Sequence, residues 1–158
     1  MTDPARDRPA DSALDRELAG IARGMARRTD PGSTAVVVAS AVLVLLVSLA
    51  LPYTGDVPGW EVLAGLAPDL GVLPRLFTFT ALGFGVVGSA LALATRWWAL
   101  AWVCAVGCGF TVVDGVWAIW SRQTVVLEGG SGPGFGLVLA VVTVVVLAVS
   151  WVRIALRR

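Results

Sequence analysis

The sequence predicts an all-α protein, an integral membrane four-helix bundle with both termini on the cytoplasmic side (N-in, C-in). An amphipathic or disordered cytoplasmic segment precedes it. Three observations carry this expectation. Hydrophobic residues fill 57% of the 158 positions and mean hydropathy is +0.82, more apolar than a soluble domain whose surface carries charge. Four apolar stretches, at about 35–53, 74–95, 97–120 and 135–152, each reach roughly 27 Å or more as a helix, enough for a hydrocarbon core. The arginines flanking them are lopsided. Arg23, Arg27, Arg28, Arg96, Arg153, Arg157 and Arg158 fall on one side and only Arg75 and Arg122 on the other, a positive-inside pattern.

Residues 1–33 form a polar N-terminal segment, and 34–158 hold the four spans. Within the segment, Leu14, Leu18, Ile21 and Met25 recur at helical spacing, with Ser12 as a capping residue and arginines toward the end. A helix at about 12–28 is expected, lying on anionic lipid or simply solvated. With no apolar run at the start, no cleavable signal peptide is expected.

The first span carries no charge and ends at Pro52. The connection at 54–73 is acidic and amphipathic, reading as an interfacial cap. Pro74 opens the second span, where its missing N–H costs nothing. That span is rich in small residues, among them Gly83, Gly85 and Gly88, which permit close helix approach. Only Arg96 separates it from the third span, so the two form a tight antiparallel hairpin. The loop at 121–134 is Gly-rich but lacks the lysine of a phosphate-binding loop and reads as a turn. The fourth span, dense in Val and Leu, ends at Arg153.

The third span contains Asp114, the one ionisable side chain well inside an apolar run. Insertion of a mid-bilayer aspartate costs about 2.5–3.5 kcal/mol, so a partner or a neutralising proton is expected. Taking Arg96 as the hairpin centre, position 96−k faces 96+k within about one turn. Thr78 then faces Asp114, Gly85 faces Gly107, and Gly88 faces Cys104. Arg75 lies one turn further out, Arg122 is the second-choice partner, and Thr111 shares the acid's face. The candidate polar site is therefore Asp114, Thr78, Arg75 and Thr111. The packing seam is Gly83, Gly85, Gly88, Gly107, Cys104 and Cys108.

Asp114 admits two roles, a packing residue that fixes hairpin register or an ion or proton site. Cys104 and Cys108 share a helix face, but their spacing and apolar setting suit packing rather than thiol chemistry or metal binding. The chain has no histidine, which removes an imidazole base, shuttle or ligand. Most tryptophans, including Trp151, read as an interfacial belt.

No catalytic group, cofactor or metal is expected. The function expected is a small non-enzymatic accessory or structural subunit of a bacterial plasma-membrane assembly. The alternative is a small transporter or channel using Asp114. The partners expected are the lipid bilayer and a homo-oligomer or larger membrane complex, with no nucleic acid.

Overall fold

The structure is a computed structural model and describes residues 32–67, 70–126 and 131–156. The helix expected at about 12–28 lies outside the described residues. Helix α1 runs Gly32–Ser48, 17 residues, and ends before the expected boundary at 53. Its last turn tightens: the N–H groups of Leu49, Ala50 and Leu51 bond the carbonyls three residues back, at 3.3, 3.0 and 3.1 Å. The chain then does what the sequence does not announce. Strand β1 (Pro52–Thr54) pairs antiparallel with β2 (Val57–Pro58). Gly55, at φ 56°, supplies the left-handed turn residue between them.

Short helix α2 (Gly59–Ala64) follows and is closed by Gly65 at φ 74°. Helix α3 (Val72–Thr80), a π-helical stretch (Ala81–Gly88) and α4 (Ser89–Thr95) run on as one apolar rod. Eight residues of π geometry are unusual. They coincide with Gly83, Gly85 and Gly88, where side-chain bulk is least. Arg96 takes a left-handed conformation at φ 55° and turns the chain, its N–H bonding Ala92 O at 2.9 Å. Helix α5 (Trp98–Val126) is 29 residues long and passes six beyond the expected end. Helix α6 (Phe135–Leu156) completes the bundle.

Three of these rods are long and apolar enough to cross a membrane by length and composition, at 72–95, 98–124 and 135–156. Helix α1 is shorter, about 25 Å. The expected four spans therefore reduce to three helices of that length among the described residues.

Helix α6 is the central element, packed against α5 and α1. Its buried positions Leu137, Ala140, Val141, Val144, Leu147, Trp151 and Ile154 recur at helical spacing. They meet Val38 and Leu45 of α1, Phe77 of α3 and Cys104 and Cys108 of α5 in one core. The outside of the same helices is apolar too: Val106, Trp120, Val142 and Val149 are all exposed. Inside and outside differ in fit rather than polarity. Trp151 departs from its expected place in an interfacial belt. It is 2% exposed, and its indole N–H donates to Ser89 Oγ at 2.9 Å.

Candidate functional site

Glycines set how closely α5 approaches its neighbours. A Cβ at Gly115 meets Val141 Cγ2 at 2.6 Å and the Phe77 ring at 2.9 Å, so α5 lies tightly against α3 and α6 beside Asp114. A Cβ at Gly107 runs into the Phe84 ring, which fills that notch. Gly88 faces the Cys104 sulfur at 3.3 Å. Gly85 turns to Leu45 and Leu147 instead of Gly107, and no atom lies within 4 Å of a Cβ at Gly83. The seam named from sequence is thus split between two neighbouring surfaces, with Gly83 on neither. Cys104 and Cys108 are fully buried free thiols within the core.

Asp114 is 4% exposed. Its carboxylate accepts from Thr80 Oγ1 at 3.3 Å. The same hydroxyl is 3.1 Å from Leu76 O and 3.0 Å from Phe77 O, and one hydroxyl proton serves only one acceptor at a time. Thr78, the partner expected from the hairpin register, is buried but donates to Pro74 O of its own helix at 2.7 Å. The register is off by two residues, within the turn of error that an antiparallel estimate carries. Thr111 likewise donates to its own helix, at Gly107 O, 2.8 Å. Arg75 stays at the end of the bundle. Its guanidinium stands 5.7 Å over the Phe79 ring and packs on Gly65, and it makes no ion pair with Asp114. Of the three residues expected to gather around Asp114, the structure brings none to its carboxylate by hydrogen bond. Thr80, two residues from Thr78, is the one it brings.

A second polar region lies where α5 ends against the hairpin, and the sequence carries little signal for it. Gly134 N donates to Tyr53 O at 2.7 Å, and Thr54 pairs with Pro133, so the 131–134 segment extends the hairpin. Arg122 is 6% exposed, and its Nη2 donates to Ser131 O at 2.9 Å. Arg122 Nε, Thr54 Oγ1 and Tyr53 Oη are buried without a hydrogen-bond partner. Burial pushes the Tyr53 phenol above its usual range; the Ser48 hydroxyl opposes this, without reaching full hydrogen-bond geometry.

On the outer surface of α5, Phe84, Trp102, Val103, Val106, Gly107 and Phe110 line an apolar groove of about 590 Å³. Among the described residues no group of three or more His, Cys, Asp or Glu side chains is gathered as a metal site.

A mostly helical body of this kind, with one buried acid among the described residues, does not define a reaction by itself. The chain belongs to the MiaB C-terminal domain family, whose pattern it matches over residues 15–158. It is also 45% identical, over 160 aligned residues, to the tRNA-2-methylthio-N(6)-dimethylallyladenosine synthase of Mycobacterium avium (strain 104). The alignment covers 99% of this chain and 22% of the relative, so the chain spans about a fifth of that protein's length. No solved structure matches it.

This membership overturns the expectation of a freestanding integral membrane bundle and, with it, the plasma-membrane address and the bilayer as partner. It equally overturns the non-enzymatic accessory role, the transporter alternative and the exclusion of nucleic acid, since the relative is a synthase named for a tRNA product. The physical reason for the error is specific. A helix apolar on all sides is buried either in a bilayer or inside a large protein. Composition does not separate the two, and span length and arginine placement do not either.

Proposed function

We propose that this chain is a helical part of an enzyme that modifies tRNA, in the formation of 2-methylthio-N6-dimethylallyladenosine. The observation that carries this is the 45% identity extending over 99% of the chain, which includes the bundle from end to end. Family membership over residues 15–158 supports the same reading. In it, the tightly packed face of α5 against α3 and α6 holds the body rigid, and the apolar outer faces are surfaces that the working protein keeps covered.

The test is genetic and chemical. The region encoding this chain is removed in its host, and the nucleosides of total tRNA are measured by liquid chromatography and mass spectrometry. The 2-methylthio-N6-dimethylallyladenosine content should fall, with N6-dimethylallyladenosine accumulating in its place, and should return when the region is restored. An unchanged nucleoside profile after removal overturns the proposal.

A further inference from the structure

The end of the bundle where α4 turns into α5 concentrates aromatic surface and positive charge. Arg96, at the left-handed turn, is exposed, and Trp97 beside it is 61% exposed. Trp98 and Trp102 lie one turn apart on α5 and are each 39% exposed. Their rings meet edge to face, with centroids 6.2 Å apart and planes at 78°, so each indole holds the other in place. The Trp98 indole N–H donates to Ala155 O at 3.1 Å, which ties the start of α5 to the end of α6. Arg153 is exposed on that end of α6, two residues before Ala155. Elements far apart in sequence thus bring three tryptophans and two arginines to one end of the bundle. The far end of α5 also exposes a tryptophan, Trp120, at 65%, but there the neighbouring arginine, Arg122, is buried.

We propose, resting on the tRNA reading above, that Trp97, Trp98 and Trp102 with Arg96 and Arg153 form a surface that takes unpaired bases of RNA. An indole and a base both present flat π faces and stack whatever the base, while an arginine meets the phosphates between bases. Paired bases keep their faces inside the duplex, so the partner is a single-stranded loop and not a helical stem. The turn at Arg96 sets the spacing. Its φ of 55° ends α4 and lets α5 begin two residues later, which puts charge and rings on the consecutive residues 96–98. A dry protein contact has no use for two exposed cations, and phosphate binding alone has no use for three rings.

The full chain is purified and titrated against three probes: a fluorescein-labelled RNA hairpin with an unpaired, adenosine-rich loop, the same sequence as a full duplex, and vesicles containing phosphatidylglycerol. Anisotropy reads the RNAs and co-sedimentation reads the vesicles. Saturable binding to the hairpin is expected, about tenfold or more tighter than to the duplex. Trp97→Ala should weaken it about tenfold, the loss of one stacked base. Two phosphate contacts should give a log Kd against log salt slope of about 1.4, falling to about 0.7 in Arg153→Gln. Trp120→Ala, about 33 Å along α5 from Trp98, should bind as the wild type does. No saturable binding to the hairpin overturns the interface and leaves the nucleoside test of the function to stand on its own. Equal binding to the duplex overturns it too, as do vesicle binding without hairpin binding and an equal loss in Trp120→Ala. Should Trp97→Ala fail to fold, Arg153→Gln decides, and an unchanged salt slope in that variant overturns the proposal.

Discussion

The interior of the bundle and the cap at the end of α5 treat buried polar groups in opposite ways. Inside the helices, every buried hydroxyl among the described residues has an acceptor on its own helical rod, with Ser89 the most distant at 3.5 Å from Phe84 O. Ser48 donates to Leu45 O, Thr78 to Pro74 O, Thr111 to Gly107 O, Thr143 to Leu139 O and Ser150 to Val146 O, all at 2.6 to 2.8 Å. In the cap, Tyr53 Oη, Thr54 Oγ1 and Arg122 Nε have none. The difference is geometric. A helix offers each Ser or Thr the carbonyl one turn back, so the residue satisfies itself wherever the helix is placed. Strand residues have no such neighbour, and their hydroxyls depend on what tertiary packing brings. Helical polar groups are therefore cheap to bury, and the cap is where buried polar groups go unpartnered.

The largest expected effect breaks the cap's junction with the bundle. A Cβ at Gly134 runs into the carbonyl of Pro52, a backbone atom that no rotamer change moves aside. Gly134→Ala should lose about 3 kcal/mol, the upper end for overpacking, because it also disturbs the bond from Gly134 N to Tyr53 O. Chemical denaturation followed by circular dichroism measures this, and a loss below about 1 kcal/mol would show that the junction yields. Next comes the long-range bond of the interior. Trp151→Phe keeps most of the ring volume but removes the donor to Ser89 Oγ, at a cost of about 1–3 kcal/mol. The double variant with Ser89→Ala should recover part of that loss, and a strictly additive pair would contradict the coupling.

Asp114 gives a smaller effect. Thr80→Val leaves the carboxylate without its hydroxyl donor and should cost about 1–2 kcal/mol, whereas Thr78→Val should cost less, since Thr78 serves only its own helix. Equal losses in the two variants would remove Thr80 as the partner. The smallest effect sharpens the contrast by its sign. Tyr53→Phe deletes an unsatisfied buried hydroxyl and should be neutral or stabilising by up to about 1 kcal/mol. Burial raises the Tyr53 pKa in the folded state, so the fold prefers the neutral phenol. That stabilisation is complete below the unfolded value of 10.0 and is lost as pH rises through the folded value. The wild type should therefore lose Tm above pH 10 more steeply than Tyr53→Phe, and parallel curves would contradict the burial effect.

The helices at 72–95, 98–126 and 135–156 were legible because each is a long apolar run bounded by Pro, Gly or Arg. The turn at Arg96 was legible because a single residue separates two such runs. The β-hairpin at 52–58 was not, since three- and two-residue strands are too short for a period to show. Trp151 also misled, because a tryptophan near a helix end reads the same in sequence whether it faces outward or, as here, inward onto Ser89.

By itself, then, the sequence determined that the chain is mostly helical and, to within about six residues, where its long apolar rods lie. These follow from local composition, which fixes hydrophobic runs and breaks without reference to any other part of the chain. Only the tertiary structure decided that the partner of Asp114 is Thr80 rather than Thr78 and that Arg75 stays away. Only it shows that Arg122 and Thr54, 68 positions apart by number, converge on one segment at 131–133. A hairpin register is fixed by which glycine admits which ring, as at Gly107 with Phe84, and a period of 3.6 residues does not resolve a shift of two.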